Sequence, residues 1–201
     1  MRSVETIIIG GGFGGLNAAI RLGKKRRQVL LIDKTNHHLF QPLLYQVATA
    51  SLSPADIASP IREILKRYSP ISVIMDKAVA IDQQGCVVHT ESGNAFQFEN
   101  LIVAVGVVPA YFGHTEWQQW APGLKSLNDA LTIRENMLRS FEMAELSSSQ
   151  DEVDALSTFV VIGAGPTGVE MAGAIAEISR QTLAKNFSRI DPTNTRVYLV
   201  E

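Results

Sequence analysis

The sequence predicts an α/β chain in which one supersecondary unit occurs twice. Two observations carry this. A β-branched run, a glycine cluster and a helical stretch open the chain at residues 4–25, and the same succession recurs from Thr158. Each copy then closes on a second strand-like run that ends in an acid, Asp33 in the first and Glu201 in the second. Strand, glycine turn, helix and strand make a β-α-β unit, so two Rossmann-like units are expected, the second incomplete.

Taken in order, residues 4–9 read as a strand covered on both faces. Helical character runs over 16–25, and 28–33 is the next strand. Residues 51–70 are punctuated by Pro54, Pro60 and Pro70 around an amphipathic stretch at 57–68. Ser53-Pro54 and Ser59-Pro60 read as helix starts. Residues 71–98 form a strand-rich segment with strands at 73–81, 85–90 and 96–98, and Ser92-Gly93-Asn94 is the expected hairpin tip. A buried strand follows at 101–105. Residues 124–146 are helical, with Asn128 as the cap, and the polar stretch 147–157 reads as a loop. Residues 158–162 and 196–200 read as buried strands of the second copy. A chain that stops on a central strand points to a piece of a longer protein.

Eighteen Lys+Arg against twenty Asp+Glu leave a net charge of −2, which gives no electrostatic reason for a nucleic-acid partner. The composition, 46% apolar and 19% charged, is that of a globular protein of one or two domains. Cys86 is the only cysteine, which excludes a disulfide within the chain and a cysteine-rich metal site. It is expected in a strand, as a small buried apolar residue. His37 and His38 are adjacent and point apart, so no metal is expected there. The start lacks the charged, apolar, small-residue order of a signal peptide. No apolar run reaches the roughly 18 residues that a spanning helix needs. Any membrane association is expected to be peripheral or to lie outside these residues.

The first cluster, Gly10-Gly11-Gly12-Phe13-Gly14-Gly15, matches G-x-G-x-x-G through Gly10, Gly12 and Gly15. Gly10 permits the tight turn, and Gly12 lets a pyrophosphate approach the backbone. Gly15 lets helix and strand pack closely, which turns the helix amino terminus toward the phosphates. Asp33 is placed to accept hydrogen bonds from ribose hydroxyls. A glycine turn that only packs a helix on a sheet would explain the glycines but not the acid. The second cluster, Gly163-Ala164-Gly165-Pro166-Thr167-Gly168, matches through Gly163, Gly165 and Gly168. Its acid, Glu201, stands at nearly twice the usual separation of about 20 residues. The excess lies in residues 179–195, a stretch that would extend or follow the helix. An acid at the strand end favours a free 2′-hydroxyl, hence NADH over NADPH. Two dinucleotide sites in one chain imply hydride transfer between cofactors. Glu170 is expected in the first turn of the second helix, where the helix dipole would favour a carboxylate. On spacing alone a helix-start acid without chemical role is the better reading of it.

At these residues the sequence resembles the type II NADH:quinone oxidoreductases, single-subunit NADH dehydrogenases of bacterial and mitochondrial membranes. Residues 36–48, Asn-His-His-Leu-Phe-Gln-Pro-Leu-Leu-Tyr-Gln-Val-Ala, carry the resemblance most specifically, as do residues 163–170 with Arg189-Ile190-Asp191-Pro192. The family carries the same extension before the second acid, which accounts for the spacing of Glu201. The resemblance implies a glutathione-reductase-like fold, with an FAD-binding domain over 1–113 and a partial NADH-binding domain over 114–201 that begins with a crossover helix. It implies that Gly10, Gly12, Gly14, Gly15 and Asp33 bind the ADP half of FAD, with Lys34 beside the adenosine. Gln41 and Pro42 would approach the flavin ring, and the backbone of Val79 would contact adenine. Ala104-Val105-Gly106 would close the FAD site as an A-T-G element, with Val105 in place of the threonine and its hydroxyl lost. Gly163, Gly165, Gly168 and Glu201 would bind NADH. Glu170 matches a family glutamate near the nicotinamide and the quinone side of the flavin, which makes it the candidate catalytic residue.

The same resemblance implies a quinone acceptor, a respiratory role without proton pumping, a homodimer, and peripheral attachment to the cytoplasmic face of the inner membrane through a carboxy-terminal region outside these residues. The 201 residues alone are expected to be soluble and inactive. Competing readings are another two-dinucleotide flavoprotein, of the sulfide:quinone or ferredoxin reductase type, and a flavin-binding regulatory protein. Disulfide and sulfide reductases need redox cysteines, and none follows Cys86. A regulatory protein would leave the second site superfluous.

Overall fold

In the computed structural model, which describes residues 2–201, the opening apolar run forms β1 (Arg2–Ile9). Val4, Ile7, Ile8 and Ile9 are buried, and they lie on both of its faces. Ile7 and Ile9 pack with Leu30, Ile32, Val88 and Phe96. Ile8 packs with Leu16, Ala19, Val29, Leu31 and Ile61. A strand covered on both sides has no polar face to show, which is why the run is unbroken rather than alternating.

The helix Phe13–Lys24 leads from β1 to β2 (Val29–Asp33), which lies parallel to β1. A small antiparallel ribbon follows, formed by β3 (His37–Leu39) and β4 (Ala58–Pro60), and then the helix Ile61–Leu65. The strands β5 (Ile71–Met75), β6 (Ala78–Asp82), β7 (Val87–Thr90) and β8 (Ala95–Val103) complete a six-stranded sheet in the order β5-β2-β1-β8-β7-β6. The first four of these are parallel, and β7 and β6 extend the sheet as an antiparallel meander.

Several expectations are corrected here. The strand expected over 73–81 is two strands, broken at Asp76-Lys77. The Asp76 amide donates to the Asp33 carbonyl (2.8 Å), and its carboxylate accepts from the Lys77 amide (2.8 Å) and from the Ser92 hydroxyl. The strands expected at 96–98 and 101–105 are one strand, because β8 pairs with β1 from Phe96 to Val103. The two helix starts expected at Ser53-Pro54 and Ser59-Pro60 are present, as the helices Pro54–Ile57 and Ile61–Leu65, with β4 between them. Cys86 is not in a strand. It is half-buried in the turn before β7 at φ 53°. The Asp82 carboxylate accepts from the amides of Gln84 and Gly85 (3.0 Å each), and this side-chain turn ends the strand early.

The chain divides into two compact units. The first takes residues up to Leu39 together with 58–108, and the second takes 40–57 and 109–201. The division therefore does not follow a single boundary near 113. Residues 40–57 join the second unit because their helix Leu44–Ala48 packs on the helices Leu127–Leu146 and Pro166–Glu177.

In the second unit the helix Leu127–Leu146 starts at a capping box. The Ser126 hydroxyl accepts from the Asp129 amide (3.2 Å), and the Asp129 carboxylate accepts from the Ser126 amide (2.8 Å). Ser126, not Asn128, is thus the cap, since only Ser126 has an acid three residues on. The expected loop 147–157 contains a second helix, Gln150–Leu156, whose cap Ser149 accepts from the Glu152 amide through its hydroxyl. Then come β9 (Thr158–Ile162), the helix Pro166–Glu177, a π-helical turn at Ile178–Thr182 and β10 (Arg196–Val200), parallel to β9. The Phe141 ring is fully buried and lies 5.6 Å from that of Phe159 and 6.1 Å from that of Phe187. Contrary to expectation, β9 and β10 are not buried strands: Val160, Ile162, Tyr198 and Val200 are exposed. Two strands alone do not build the double-faced cover that a parallel sheet requires.

Two carboxylates staple these units to themselves. In the first, the hydroxyls of Ser92 and then Thr90 draw the Asp76 carboxyl from its ordinary 3.8 down to about 2. In the second, desolvation pushes the Glu145 carboxyl up, but the amides of Ser188, Arg189 and Ile190 and the Arg189 charge hold it below its ordinary value. Both groups protonate more easily in the unfolded chain. The Asp76 contribution is therefore complete above its ordinary 3.8 and is lost as the pH falls toward 2, and that of Glu145 is complete above its ordinary 4.5 and is lost as the pH falls below it. Acid titration of the fold, followed by circular dichroism, should show a loss of stability in those windows that is shallower in Asp76→Asn and in Glu145→Gln; an unchanged slope in both counts against these staples.

Candidate functional site

The two glycine turns are built alike, residue for residue. Gly10 stands at φ 103° and Gly163 at φ 99°, a backbone region that a side chain would strain. The Gly10 amide donates to the Ile32 carbonyl (2.8 Å) and the Gly163 amide to the Val200 carbonyl (2.7 Å), so each turn hangs from the last residues of the closing strand. A Cβ on Gly15 would lie 1.8 Å from the Gly10 carbonyl oxygen, and one on Gly168 would lie 1.8 Å from that of Gly163. The residue after the first glycine binds the acid: the Gly11 amide donates to Asp33, and the Ala164 amide donates to Glu201. The long insertion before β10 thus leaves the acid in register.

Gly12 and Gly165 cap the two helices in extended conformation. A Cβ on either would meet nothing within 4 Å. Neither helix has an acid in its first turn. Open space beside an extended glycine at an unopposed helix amino terminus fits a pyrophosphate. The first helix begins with Phe13, Gly14 and Gly15, whose amides lie in its first turn. The second begins with Pro166, which has no amide, so Thr167 and Gly168 remain.

Around the first turn, the Asp33 carboxylate also accepts from the Thr35 amide (2.6 Å) and hydroxyl (2.7 Å). The Ala104 amide donates to the Ile9 carbonyl (2.8 Å), and the Ala104 carbonyl oxygen stands 2.2 Å from where a Gly10 Cβ would sit. The Ala104 methyl is 3.8 Å from the same point on Gly14. Ala104-Val105-Gly106 therefore lies against the glycine turn, just past the end of β8 rather than inside a strand, with Gly106 at φ 72°. Val79 is the extra residue of a bulge, since Ala78 pairs with Thr90 and Ala80 with His89. A bulged residue has backbone groups outside the ladder and available to a ligand. Lys34 is exposed after β2.

Gln41 and Pro42 form a 3₁₀ turn in the second unit, where the Gln41 side-chain amide donates to the Lys125 carbonyl (3.3 Å). Glu170 is exposed on the helix Pro166–Glu177, but in its second turn, not its first. Amides that deep are already bonded within the helix, so the dipole argument for Glu170 falls. Two residues not singled out as binding groups stand at the first turn: Gly11, which bonds Asp33, and His38, whose ring nitrogen Nδ1 lies 3.0 Å from the Gly11 carbonyl oxygen. The pairing of His38 with the turn had no local signal, because 27 residues separate the partners.

Comparison with known proteins agrees with this geometry. The type II NADH:quinone oxidoreductase Ndh of Mycobacterium tuberculosis is 47% identical over 203 residues, which cover all of this chain and 44% of that protein. NdhA of the same organism, also a type II NADH:quinone oxidoreductase, is 46% identical over 200 residues, 98% of this chain and 43% of its own length. The solved structure of NDH2 from Plasmodium falciparum in complex with NADH matches with a TM-score of 0.89 at 26% identity, over 100% of this chain and 42% of that one. The chain spans less than half the length of these relatives. The family model of the pyridine nucleotide-disulphide oxidoreductases matches residues 4–201 and so takes in both glycine turns and both acids. The chain belongs to the pyridine nucleotide-disulphide oxidoreductase family.

Proposed function

We propose that this chain forms the cofactor-recognition part of a type II NADH:quinone oxidoreductase, with FAD in the first unit and NADH in the second. One observation carries the proposal: the same turn, open helix end and acid-to-amide bond occur twice. The names of the relatives supply the reaction. When bound, FAD supplies a centre that accepts a hydride from NADH and passes electrons to a quinone.

The residues divide the work of binding. The amides of Phe13, Gly14 and Gly15 hold the FAD pyrophosphate across the space beside Gly12, and Gly10 keeps the turn tight. Asp33, steadied by Gly11 and Thr35, accepts from the ribose, with Lys34 beside the adenosine and the Val79 backbone at the adenine. Ala104 and Gly106 close the same site. Gly163, Gly165 and Gly168 do for NADH what their counterparts do for FAD. Glu201 binds the Ala164 amide through Oε2, which would leave Oε1 to accept from the ribose. The second turn has one amide fewer, which suits a ligand that must leave after each turnover. Glu170, exposed on the second helix, is the candidate catalytic residue.

No helix among the described residues is long and apolar enough to cross a membrane. Peripheral docking on the cytoplasmic face of the inner membrane and assembly as a homodimer belong to this same proposal.

The test is NADH oxidation by the full-length protein with and without a soluble quinone. A yellow protein that oxidises NADH only when quinone is supplied supports the reading. A colourless protein that takes up no FAD overturns it. Glu170→Gln should slow quinone reduction by about tenfold or alter NADH affinity. Unchanged kinetics in steady state and in single turnover would return Glu170 to an ordinary helix acid.

A further inference from the structure

Gly11 is gripped from three sides. Its amide donates to Asp33 of β2. Its carbonyl faces Nδ1 of His38 on β3 at 3.0 Å. On the third side a Cβ at Gly11 would come within 2.5 Å of the Ile61 Cδ1 atom, at the start of the helix after β4. At the next residue, Gly12, a Cβ would meet nothing within 4 Å. Gly11 is therefore locked from behind while its neighbour is left clear for a ligand.

We infer that His38 is a positioning residue for the first dinucleotide site, acting through the Gly11 carbonyl. A carbonyl oxygen can only accept, so Nδ1 must carry the proton and donate. The ring is fixed independently of the turn. The strand β3 pairs with β4, setting His38 opposite Ser59, and the Ile61 amide donates to the Asn36 carbonyl (3.1 Å). The Phe13 ring meets the imidazole edge-on at 5.0 Å and 86°. His38 thus ties both the turn and the first helical residue to the β3–β4 ribbon.

The consequence is preorganisation. The Gly11 carbonyl and the Gly12 amide share one peptide plane, so a hold on that carbonyl fixes the backbone at the residue left open for the pyrophosphate. Holding that peptide before the ligand arrives removes an ordering cost from binding, and removing the hold returns that cost. The effect belongs to FAD and not to NADH, whose turn lies elsewhere in the chain.

The inference rests on the assignment of FAD to the first unit, and the experiment separates the two. FAD affinity of the full-length protein is measured by flavin fluorescence after removal and readdition of the cofactor, alongside the KM for NADH. In His38→Asn the side-chain amide nitrogen can stand near the place of Nδ1 and donate to the same carbonyl. His38→Phe keeps a ring against Phe13 but has no donor, and His38→Leu has neither. The expected result is FAD affinity within about twofold of the parent for His38→Asn, a loss of about tenfold for His38→Phe and at least as much for His38→Leu, with the KM for NADH unchanged. Melting of the apoprotein shows whether each variant folds. His38→Phe binding FAD as tightly as the parent, or His38→Asn losing as much as His38→Phe, overturns the role of His38 while leaving the FAD assignment in place. A parent protein that binds no FAD overturns both.

Discussion

Gly15→Ala should strip the first unit of its flavin, and Gly168→Ala should cripple NADH binding while flavin stays bound. Each new methyl carbon would lie 1.8 Å from a carbonyl oxygen of the same turn. Carbon and oxygen approach no closer than about 3.3 Å without a marked cost. The atom in the way is backbone, Gly10 in one case and Gly163 in the other, and both are tied through their amides to the closing strands. Neither turn can yield without the helix moving off the strand. Overpacking of this kind costs about 1–3 kcal/mol or more, and the cost falls where the pyrophosphate must sit. A loss of at least 100-fold is expected, in FAD affinity for Gly15→Ala and in the KM for NADH for Gly168→Ala. Flavin content after purification and steady-state kinetics read the two effects separately. Full flavin content and parental affinity in Gly15→Ala would show that the turn does not bind as described.

Reduction of the flavin by NADPH should be at least 100-fold slower than by NADH at equal low concentration, and Glu201→Gln should narrow that ratio to about tenfold or less. The Glu201 carboxylate is held just past the end of β10 by the Ala164 amide. A 2′-phosphate brought to about 4 Å from it meets a repulsion of roughly 1 kcal/mol per unit charge in water and about 4 kcal/mol in the less polar setting of a protein surface. It also loses the acceptor that a 2′-hydroxyl would use. Stopped-flow bleaching of the flavin measures both coenzymes directly. Equal rates in the parent protein would defeat the assignment of Glu201.

The glycine turns were legible because their chemistry is local. Position within a short stretch decides which residue needs φ near 100° and which must lack a side chain, and the structure places Gly10, Gly15, Gly163 and Gly168 accordingly. Glu201 was harder, since its spacing is unusual. What matters is the end of the parallel strand, and the insertion before β10 leaves that register intact. The cap at Ser126 and the helix behind Ser149 were also written locally, as a serine with an acid three residues on, but the polar stretch around them masked the pattern.

Other features had no local trace. Residues 40–57 follow β3 in the chain, yet they pack on helices that begin more than eighty residues later. The exposure of β9 and β10 follows from how few strands share their sheet, which their apolar composition cannot reveal.

Local backbone chemistry therefore lets the sequence by itself determine that this chain has two dinucleotide turns, each with its acid, and in which order they come. Glycines, helix starts and strand-end acids act within a few residues of one another, and their spacing is visible in one dimension. Only the tertiary structure decided that Gly11 is held between Asp33 and His38, that Val79 is bulged out of its ladder, and that Gln41 and Pro42 belong with the second unit. Each of those depends on a partner brought near by strand pairing or helix packing, and that proximity does not exist until the chain has folded.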